Sequence, residues 1–285
     1  MNRIYDLRFT IYDLKSIIIS KTRVFVGGSI IIFLLLTAIF APLIAPYNPK
    51  EQNLYEGLNT PDYKHPLGQD RLGRDILSRV IYGSRISLLV GILVVGISST
   101  IGVTIGSISG YIGGKADEII MRCCDIVLAF PGILLAIAIM SVLGPSLNNV
   151  IIALCAMGWV SYTRLIRAQI LSLREREFVV AVDSLGGSSS RIILRHLLPN
   201  VISPLIVEAT FGMAGTIIAE AGLSFLGLGV QPPNPSWGSM LNEGRQFLLI
   251  APHLTIFPGL AIMITVLGFN FFGDGIRDLM DVKNK

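Results

Sequence analysis

The sequence predicts an all-α membrane protein with six transmembrane helices, and two observations indicate this fold class. Hydrophobic residues make up 52% of the 285 residues and charged residues only 15%, with a mean hydropathy of +0.67. That balance leaves too little polar surface to coat a soluble globule of this size. The apolar residues also fall into six runs of roughly 17 to 25 residues, the length that a spanning helix needs.

The first 23 residues mix basic and apolar side chains. Residues 24–45 then form the first predicted span, which is too long for a signal-peptide core of about 7 to 15 residues. We therefore expect this span to remain as an anchor. Ahead of it, apolar residues recur at spacings of three and four, which predicts a helix lying on the membrane surface. They are Ile4, Leu7, Ile11, Leu14 and Ile18.

A predicted extramembrane segment, residues 47–85, separates the first span from the second, residues 86–108. The second span contains Gly102, Gly106 and Gly110, which recur every fourth residue. Such a stripe without side chains allows another helix to approach closely. The contact can be static packing or a moving interface, and the spacing leaves both open. Gly114 continues the series just beyond the span.

The third and fourth predicted spans are residues 126–143 and 150–166. In the third span Pro131 predicts a kink. Arg122 and Asp125 lie three residues apart at its start, a spacing that allows an ion pair.

The fifth span is residues 201–225 and the sixth is residues 254–272. The loop between them, residues 226–253, contains the proline-rich turn QPPNPSWG and an amphipathic stretch at residues 240–249. Residues 273–285 are predicted to form a short charged tail.

Lysine and arginine counts predict the orientation in the membrane. Six spans place both termini on one side, together with residues 177–200. That side carries 16 of the 23 Lys and Arg residues, so the positive-inside rule makes it cytoplasmic. Residues 47–85 hold six of the other seven, and Arg79 and Arg85 lie near a helix end, where the rule counts against this orientation.

Residues 177–200, EFVVAVDSLGGSSSRIILRHLLPN, form a polar segment that predicts two short amphipathic helices. Gly186 and Gly187 end the first helix, residues 174–185, and Ser188 can cap a second helix that ends before Pro199. The apolar faces need a cover, and the pattern leaves open whether it is a protein or a lipid surface. These faces comprise Phe178, Ala181, Val182 and Leu185 in the first helix, and Ile193, Leu194, Leu197 and Leu198 in the second.

The polar segment and three other motifs carry a resemblance to a known family. Ala181, Gly186, Leu198 and Pro199 are spaced as in the cytoplasmic coupling motif of binding-protein-dependent ABC importers. The sequence closely resembles the inner-membrane permease subunits of these importers, in their dipeptide, oligopeptide and nickel branch. The other matching motifs are HPLGQDRLGRDILSRVIYGSRISL at residues 65–88, AEAGLSFLGLGVQPPNPSWGSML at 219–241, and Pro258-Gly259 followed by FNFFGDGIRDLMD at 269–281.

The coupling motif departs from the family pattern at three positions. The family usually has an acid first and an alanine last in a three-residue core, where this sequence has Val180 and Val182. Asp183 stands where a basic or neutral residue is commoner. Glu177 can partly replace the missing acid.

The resemblance implies a type I ABC importer permease fold, with an extracytoplasmic segment between the first two spans and a cytoplasmic coupling helix between spans four and five. We expect an N-terminal part at residues 1–80 and a five-helix core at residues 81–285. The residues implied to couple transport to ATP hydrolysis are Glu177, Ala181, Asp183, Gly186, Arg191, Arg195, His196 and Pro199.

The resemblance also implies partners and a cargo. The partners are membrane lipid, a homologous but different permease subunit, two ATPase subunits and an extracytoplasmic binding protein. The implied location is the cytoplasmic membrane of a bacterium or archaeon, with several spans and both termini in the cytoplasm. A dipeptide or oligopeptide is the implied cargo, with nickel or another small solute as the alternative.

Two acids in the fifth span are candidates for the translocation path. Glu208 lies eight residues beyond Asn200, roughly 12 Å along a helix, where a carboxylate facing lipid is strongly unfavourable. Glu208 is therefore expected to face the path or a partner, or to be protonated. A buried acid paired across a subunit interface is an equal alternative. Glu220 resembles a family position, which favours a structural hydrogen bond in a gate or at a helix end.

The sequence lacks the motifs of nucleotide and metal sites. Its nearest approach to a P-loop, SGYIGGKA at residues 109–116, lacks the first glycine and the final Ser or Thr. ATP hydrolysis is therefore expected on separate subunits, and no cofactor is expected. His65 and His253 are conceivable metal ligands only if nickel is the cargo. The basic residues lie between apolar runs, which argues against nucleic acid.

Two hypotheses from other classes stay open at this stage. A membrane-embedded enzyme would use Glu208 and Arg164 as acid and base, although no catalytic motif accompanies them. A passive channel would conduct without ATP. We interpret the cysteines as packing residues, since free cysteine behaves as a small buried hydrophobe; they are Cys123, Cys124 and Cys155.

Overall fold

The chain folds into a bundle of α-helices in a computed structural model that describes the backbone of residues 2–283 and the side chains of residues 18–280. One π turn, Ile193–Leu197, and two 3-10 turns, Leu54–Glu56 and Arg245–Phe247, accompany the helices. Over the described backbone the helices are α1 Asn2–Ile39, α2 Ala41–Ile44, α3 Ile76–Ile112, α4 Gly114–Leu128, α5 Gly132–Leu143, α6 Leu147–Leu173, α7 Glu177–Ser184, α8 Ser189–Ile192, α9 Leu198–Phe225, α10 Trp237–Gly244 and α11 His253–Lys283.

Five helical stretches in the described residues are long and apolar enough to cross a membrane, and a bent pair makes a sixth. The five are Ile18–Ile39, Ile76–Ile112, Leu147–Leu173, Ser189–Phe225 and His253–Met280. This confirms the predicted all-α, multi-span fold class.

The third predicted span is not a single helix. It is the pair α4 and α5, bent by 84° at the break that contains Pro131. Proline lacks a backbone N–H and disfavours helical conformation in the residue before it, so the predicted kink becomes a full break.

Several predicted boundaries were wrong, including that of the fourth span, where α6 extends beyond residues 150–166 to Leu147–Leu173. The first span ends at Ile39, because the chain bends at Phe40 before a short helix with proline in its first turn. Helix α3 begins ten residues before the predicted second span, where the Asp75 side chain accepts the Ser78 N–H as an N-cap. Pro199 does not end a helix, because it lies in the first turn of α9, where a missing N–H is tolerated. Helix α11 continues through most of the predicted tail.

The glycine stripe brings α3 against α6, as predicted. A Cβ atom at Gly106 would lie 2.6 Å from the Thr163 carbonyl oxygen, and one at Gly110 would lie 2.9 Å from the Arg167 carbonyl oxygen. A Cβ atom at Gly102 would overlap the Tyr162 side chain. Only glycine permits this approach of the two backbones. Gly114 has no neighbour at such a distance among the described residues and lies outside the contact.

Two ion pairs fix the bent pair to α6. Asp125 pairs with Arg164 of α6 and not with Arg122, so the predicted pair was wrong. Arg167 donates from Nη2 to Asp117 Oδ2 at 2.6 Å, and its Nε also donates to the same carboxylate. The partner on the neighbouring helix satisfies these arginines within an otherwise apolar bundle.

A buried ion network ties the first loop, residues 45–75, to α3 and α10. Asp70 accepts from Arg74 Nε at 2.6 Å and from Arg79. Glu243 of α10 accepts from Arg74 Nη2 at 2.5 Å and from Arg79 Nη1 at 3.0 Å. Arg74 and Arg79 are 2% and 1% exposed. The two carboxylates neutralise them, which weakens the charge conflict seen in the sequence for this loop.

Apolar clusters hold the remaining helices together. The largest lies where α1, α3, α9, α10 and α11 meet, and it includes fully buried Ile217 and Trp237.

Of the cysteines interpreted as packing residues, Cys124 is buried and Cys155 is partly buried, whereas Cys123 is exposed, so that interpretation was wrong for Cys123. The amphipathic face predicted before residue 18 falls outside the side chains that the structure describes, except for Ile18, which is exposed.

Candidate coupling surface and transport cavities

The polar segment, residues 177–200, forms the predicted glycine elbow after a first helix, α7, which is shorter than the predicted residues 174–185. Helix α7 ends in a Schellman cap, in which the Gly187 N–H donates to the Val182 carbonyl at 3.0 Å and the Gly186 N–H to the Asp183 carbonyl at 2.9 Å. Gly186 has a φ of +80°, the left-handed region that favours glycine. Ser188 occupies the next N-cap position, but its side chain makes no capping hydrogen bond there.

The second helix differs from the prediction. Helix α8 is a single turn, and it passes through the π turn directly into α9. Helix α8 and the π turn are therefore the start of the helical stretch Ser189–Phe225, which is long and apolar enough to cross a membrane.

One side of the polar segment is buried against α6. Val179, Ile192 and Leu197 pack in one cluster with Ile166 and Ile170, and each of the five is at most 3% exposed. Burial of side chains of this size stabilises the attachment by roughly 1.5–3 kcal/mol each. The segment is thus held firmly by the bundle.

The other side presents large apolar side chains to the outside. Leu185 is 89% exposed, Leu194 66% and Phe178 43%. Ala181 of the predicted first face is also exposed, whereas Val182 is partly buried. An exposed apolar patch rimmed by polar residues is typical of a protein interaction site.

The predicted coupling residues are distributed along this exposed side. Glu177 opens α7, and Gly186 forms the elbow. Within the described residues, the charged side chains of α7 and the second helix form no ion pair with one another or with the bundle. Exposed side chains are those of Glu177, Ala181, Asp183, Arg191, Arg195 and Pro199, and that of His196 is partly exposed.

The two acids of the predicted path lie in different surroundings. Glu220 is fully buried, and its carboxylate accepts from Ser224 Oγ at 2.7 Å and from Ser87 Oγ at 3.2 Å. Glu208 is partly exposed and lines two cavities. The structure therefore separates a hydrogen-bonded acid within the core from an acid at an accessible surface.

The two cavities follow one another along α9. The first, of about 240 Å³, lies between α3, α6 and the second half of α9, and it includes Ser98, Ser161 and Tyr162. The second, of about 480 Å³, lies by the first half of α9 and includes Gln169 and Arg277. Within the part of the chain whose side chains are described, Glu208 alone lines both cavities.

Tyr162 was missed by the sequence analysis. Its hydroxyl is buried and has no hydrogen-bond partner among the described residues. The sequence did contain a signal, because the Tyr162 phenol lies between the polar residues Ser161 and Arg164 in an otherwise apolar run. Polar groups within a span usually have a functional role. The described residues contain no group of three or more His, Cys, Asp or Glu side chains that could hold a metal ion, and His65 Nδ1 contacts Asp75 Oδ1 at 2.9 Å.

Comparison with known families decides the assignment. Residues 102–285 match the family described as the binding-protein-dependent transport system inner membrane component. The chain belongs to this family. Residues 20–61 of the permease also match the N-terminal TM domain of oligopeptide transport permease C.

Curated relatives cover nearly the whole permease. It is 47% identical over 268 residues to the dipeptide transport system permease protein DppC of Alkalihalophilus pseudofirmus, covering 94% of this chain and 88% of the relative. It is 48% identical over 256 residues to the glutathione transport system permease protein GsiD of Escherichia coli and of Shigella boydii, covering 90% and 84%. These relatives are transport subunits, so the permease is not an enzyme.

A solved structure shows the same fold. An inward facing conformation of the MetNI methionine ABC transporter matches with a TM-score of 0.60 and 17% identity, covering 73% of this chain and 97% of that one. A second crystal form of MetNI gives a TM-score of 0.55. The predicted type I importer fold is confirmed. As an inner-membrane component of a binding-protein-dependent ABC importer, the permease works with ATPase and solute-binding partners.

Proposed function

We propose that the permease imports short peptides, dipeptides above all, across the cytoplasmic membrane in an ATP-driven importer. The relatives named for dipeptide and glutathione transport, at 47% and 48% identity, support this cargo. Both names describe peptides, which favours a peptide over nickel or another small solute.

The exposed apolar side of the polar segment carries the mechanistic part of the proposal. Leu185 and Leu194 project from a segment that is firmly packed on its other side. That surface docks an ATPase subunit, and the coupling residues Glu177, Ala181, Asp183, Gly186, Arg191, Arg195, His196 and Pro199 form or shape it. Because α8 continues into α9, movement of the docked ATPase tilts α9 between inward- and outward-facing states.

The permease pairs with a second, homologous but different permease subunit, and the transport path runs between them. Glu208 lies on that path, and Glu220 holds α9 to α3 near its end. The polar segment and both termini are cytoplasmic, in keeping with the excess of basic residues on that side. We also propose a division into residues 1–80 and 81–285; the two family matches, ending at residue 61 and beginning at residue 102, support it.

Reconstitution tests the proposal. In proteoliposomes that contain this permease, its partner permease, the ATPase subunits and the binding protein, uptake of a labelled dipeptide should require both ATP and the binding protein. The permease alone should show no ATPase activity. Dipeptide flux without ATP or binding protein would indicate a passive channel and contradict the proposal.

Gly186→Val tests the coupling surface. Valine at a φ of +80° is strained, so the elbow should be displaced and co-purification of the ATPase lost. Gly144→Val is a matched control, because Gly144 has a φ of +83° in the turn between α5 and α6 and has no close neighbour. Retention of the ATPase by Gly186→Val, or its equal loss in both variants, would count against docking at this elbow.

A further inference from the structure

We propose that Glu208 binds the ammonium group of the peptide cargo where the two cavities meet. The inference rests on the proposed import of peptides. It adds the chemical group that the permease itself recognises, beyond any selection by the binding protein.

The position of Glu208 is the first argument. Ser203 and Pro204 line the second cavity, and four residues of the second half of α9 line the first, so both cavities follow the axis of α9. These four are Gly212, Gly215, Thr216 and Ala219. From residue 203 to residue 219 a helix rises roughly 24 Å, most of the thickness of the apolar layer of a membrane. A group that passes along α9 from one cavity to the other must therefore pass the Glu208 carboxylate.

The second argument is the missing counter-charge. Among the described residues, Arg277 is the only other charged residue that lines either cavity, and it forms no ion pair with Glu208. Of the other acids of the described bundle, Asp117 and Asp125 are paired with arginines, and Glu220 accepts hydrogen bonds from two serines. A carboxylate within a span requires a partner. An ammonium group supplies that partner through charge-assisted hydrogen bonds.

The hydroxyl groups beside Glu208 supply the third argument. The buried Tyr162 hydroxyl has no hydrogen-bond partner in the described structure and lies against Gly212, one helical turn from Glu208. Ser98, Ser161 and Thr216 line the same cavity. An ammonium group has three donors, and a carboxylate with hydroxyl oxygens can accept them. The cavity of about 240 Å³ has room for such an end group and its water, at about 30 Å³ per water molecule.

The test compares a labelled dialanine with N-acetyl-dialanine, which lacks the charged amine. Uptake is measured with the complete reconstituted importer, with the binding protein loaded equally with either peptide. For each peptide, the uptake rate of a variant is divided by that of the wild type, so that selection by the binding protein cancels. Co-purification of the partner permease and the ATPase is recorded for every variant.

Glu208→Gln should lower dialanine uptake by about tenfold or more, the effect of losing a hydrogen bond to a charged group, and leave N-acetyl-dialanine uptake within about twofold. Glu208→Asp keeps the charge and should retain most of the preference for the free amine. Tyr162→Phe should show a smaller loss, confined to dialanine. Glu51→Gln, an exposed acid in the first loop, is the control and should change neither rate.

Two results would overturn the assignment of Glu208. One is an equal reduction in the uptake of both peptides by Glu208→Gln. The other is loss of the partner permease from the purified complex, which would place the acid in an ion pair across the subunit interface. If the wild-type importer took up neither peptide, the proposed function would fail and this inference with it, an outcome distinct from both.

Discussion

The first loop and the polar segment differ in the burial and pairing of their charged and apolar side chains. In the first loop, Asp70 and Arg74 are buried and form an ion pair with each other, and Asp70 also pairs with Arg79 of α3 and Arg74 with Glu243 of α10. In the polar segment the charged side chains are unpaired within the described structure, and Leu185 is almost fully exposed. The first loop is complete within one chain, whereas the polar segment presents a surface that a second protein can cover.

This difference indicates whether each region contributes mainly to folding or mainly to assembly. A buried ion network fixes a geometry, because removal of one partner leaves an uncompensated buried charge. An exposed apolar surface is unfavourable in water and becomes stabilising when a partner covers it. Changes in the first loop should therefore appear in folding, and changes in the polar segment should appear in assembly.

The largest effect is expected for Asp70→Asn. The substitution removes the charge that faces both Arg74 and Arg79, which are buried. Breaking a buried pair in this way costs about 3–5 kcal/mol of unfolding free energy. Denaturant unfolding of the purified permease in detergent, followed by circular dichroism, measures the change.

Glu51→Gln is the control for Asp70→Asn, because Glu51 lies in the same loop and is exposed. Its effect on unfolding should stay within about 0.5 kcal/mol. Equal stability of the two variants would show that the buried network does not hold the first loop.

A smaller effect, on assembly alone, is expected for Leu185→Ser. Leu185 is 89% exposed, so the stability of the isolated permease should change by less than about 0.5 kcal/mol. If an ATPase subunit covers the side chain, the substitution should weaken ATPase binding by about tenfold, the effect of a moderate hot spot. Titration of the purified ATPase onto immobilised permease measures the affinity.

Leu249→Ser is matched to Leu185→Ser in chemistry and exposure, since Leu249 is 100% exposed but lies in the loop before α11. It should leave ATPase affinity unchanged. If Leu185→Ser and Leu249→Ser had the same effect on ATPase affinity, the apolar side of the polar segment would be a lipid-facing surface. This is the alternative that the sequence left open.

The fold was predictable from the sequence where local chemistry decides the outcome. Apolar runs identified the spans, the glycine stripe predicted that another helix lies close to α3, and Gly186 predicted the elbow. Helix boundaries were less predictable, because polar residues next to a run can continue the helix once tertiary contacts satisfy them. Ile76 to Arg85 and the end of α11 are examples.

The site was predictable only in part, because its partners come from distant parts of the chain. Asp125 has Arg122 as a local candidate, yet the packing of the bent pair against α6 gives it Arg164. Glu243 lies 164 residues from Arg79, and nothing in the local pattern relates them. Glu208 was visible as an acid in a span, but the cavities on its two sides depend on three helices meeting.

The smallest effect is expected for Glu177→Gln in the polar segment. Glu177 is exposed in the first turn of α7 and forms no ion pair in the described structure, so its charge is available to a partner. Removing a charge at an interface rim mainly slows association, by about two- to threefold at low salt. The effect should disappear near 1 M salt, where the Debye length is about 3 Å.

Glu175→Gln is the neighbouring control, because Glu175 lies before α7 and is 4.0 Å from Arg174. Salt-independent weakening by Glu177→Gln alone would indicate a buried contact in place of a rim charge, and equal effects of both variants would indicate that only net charge matters.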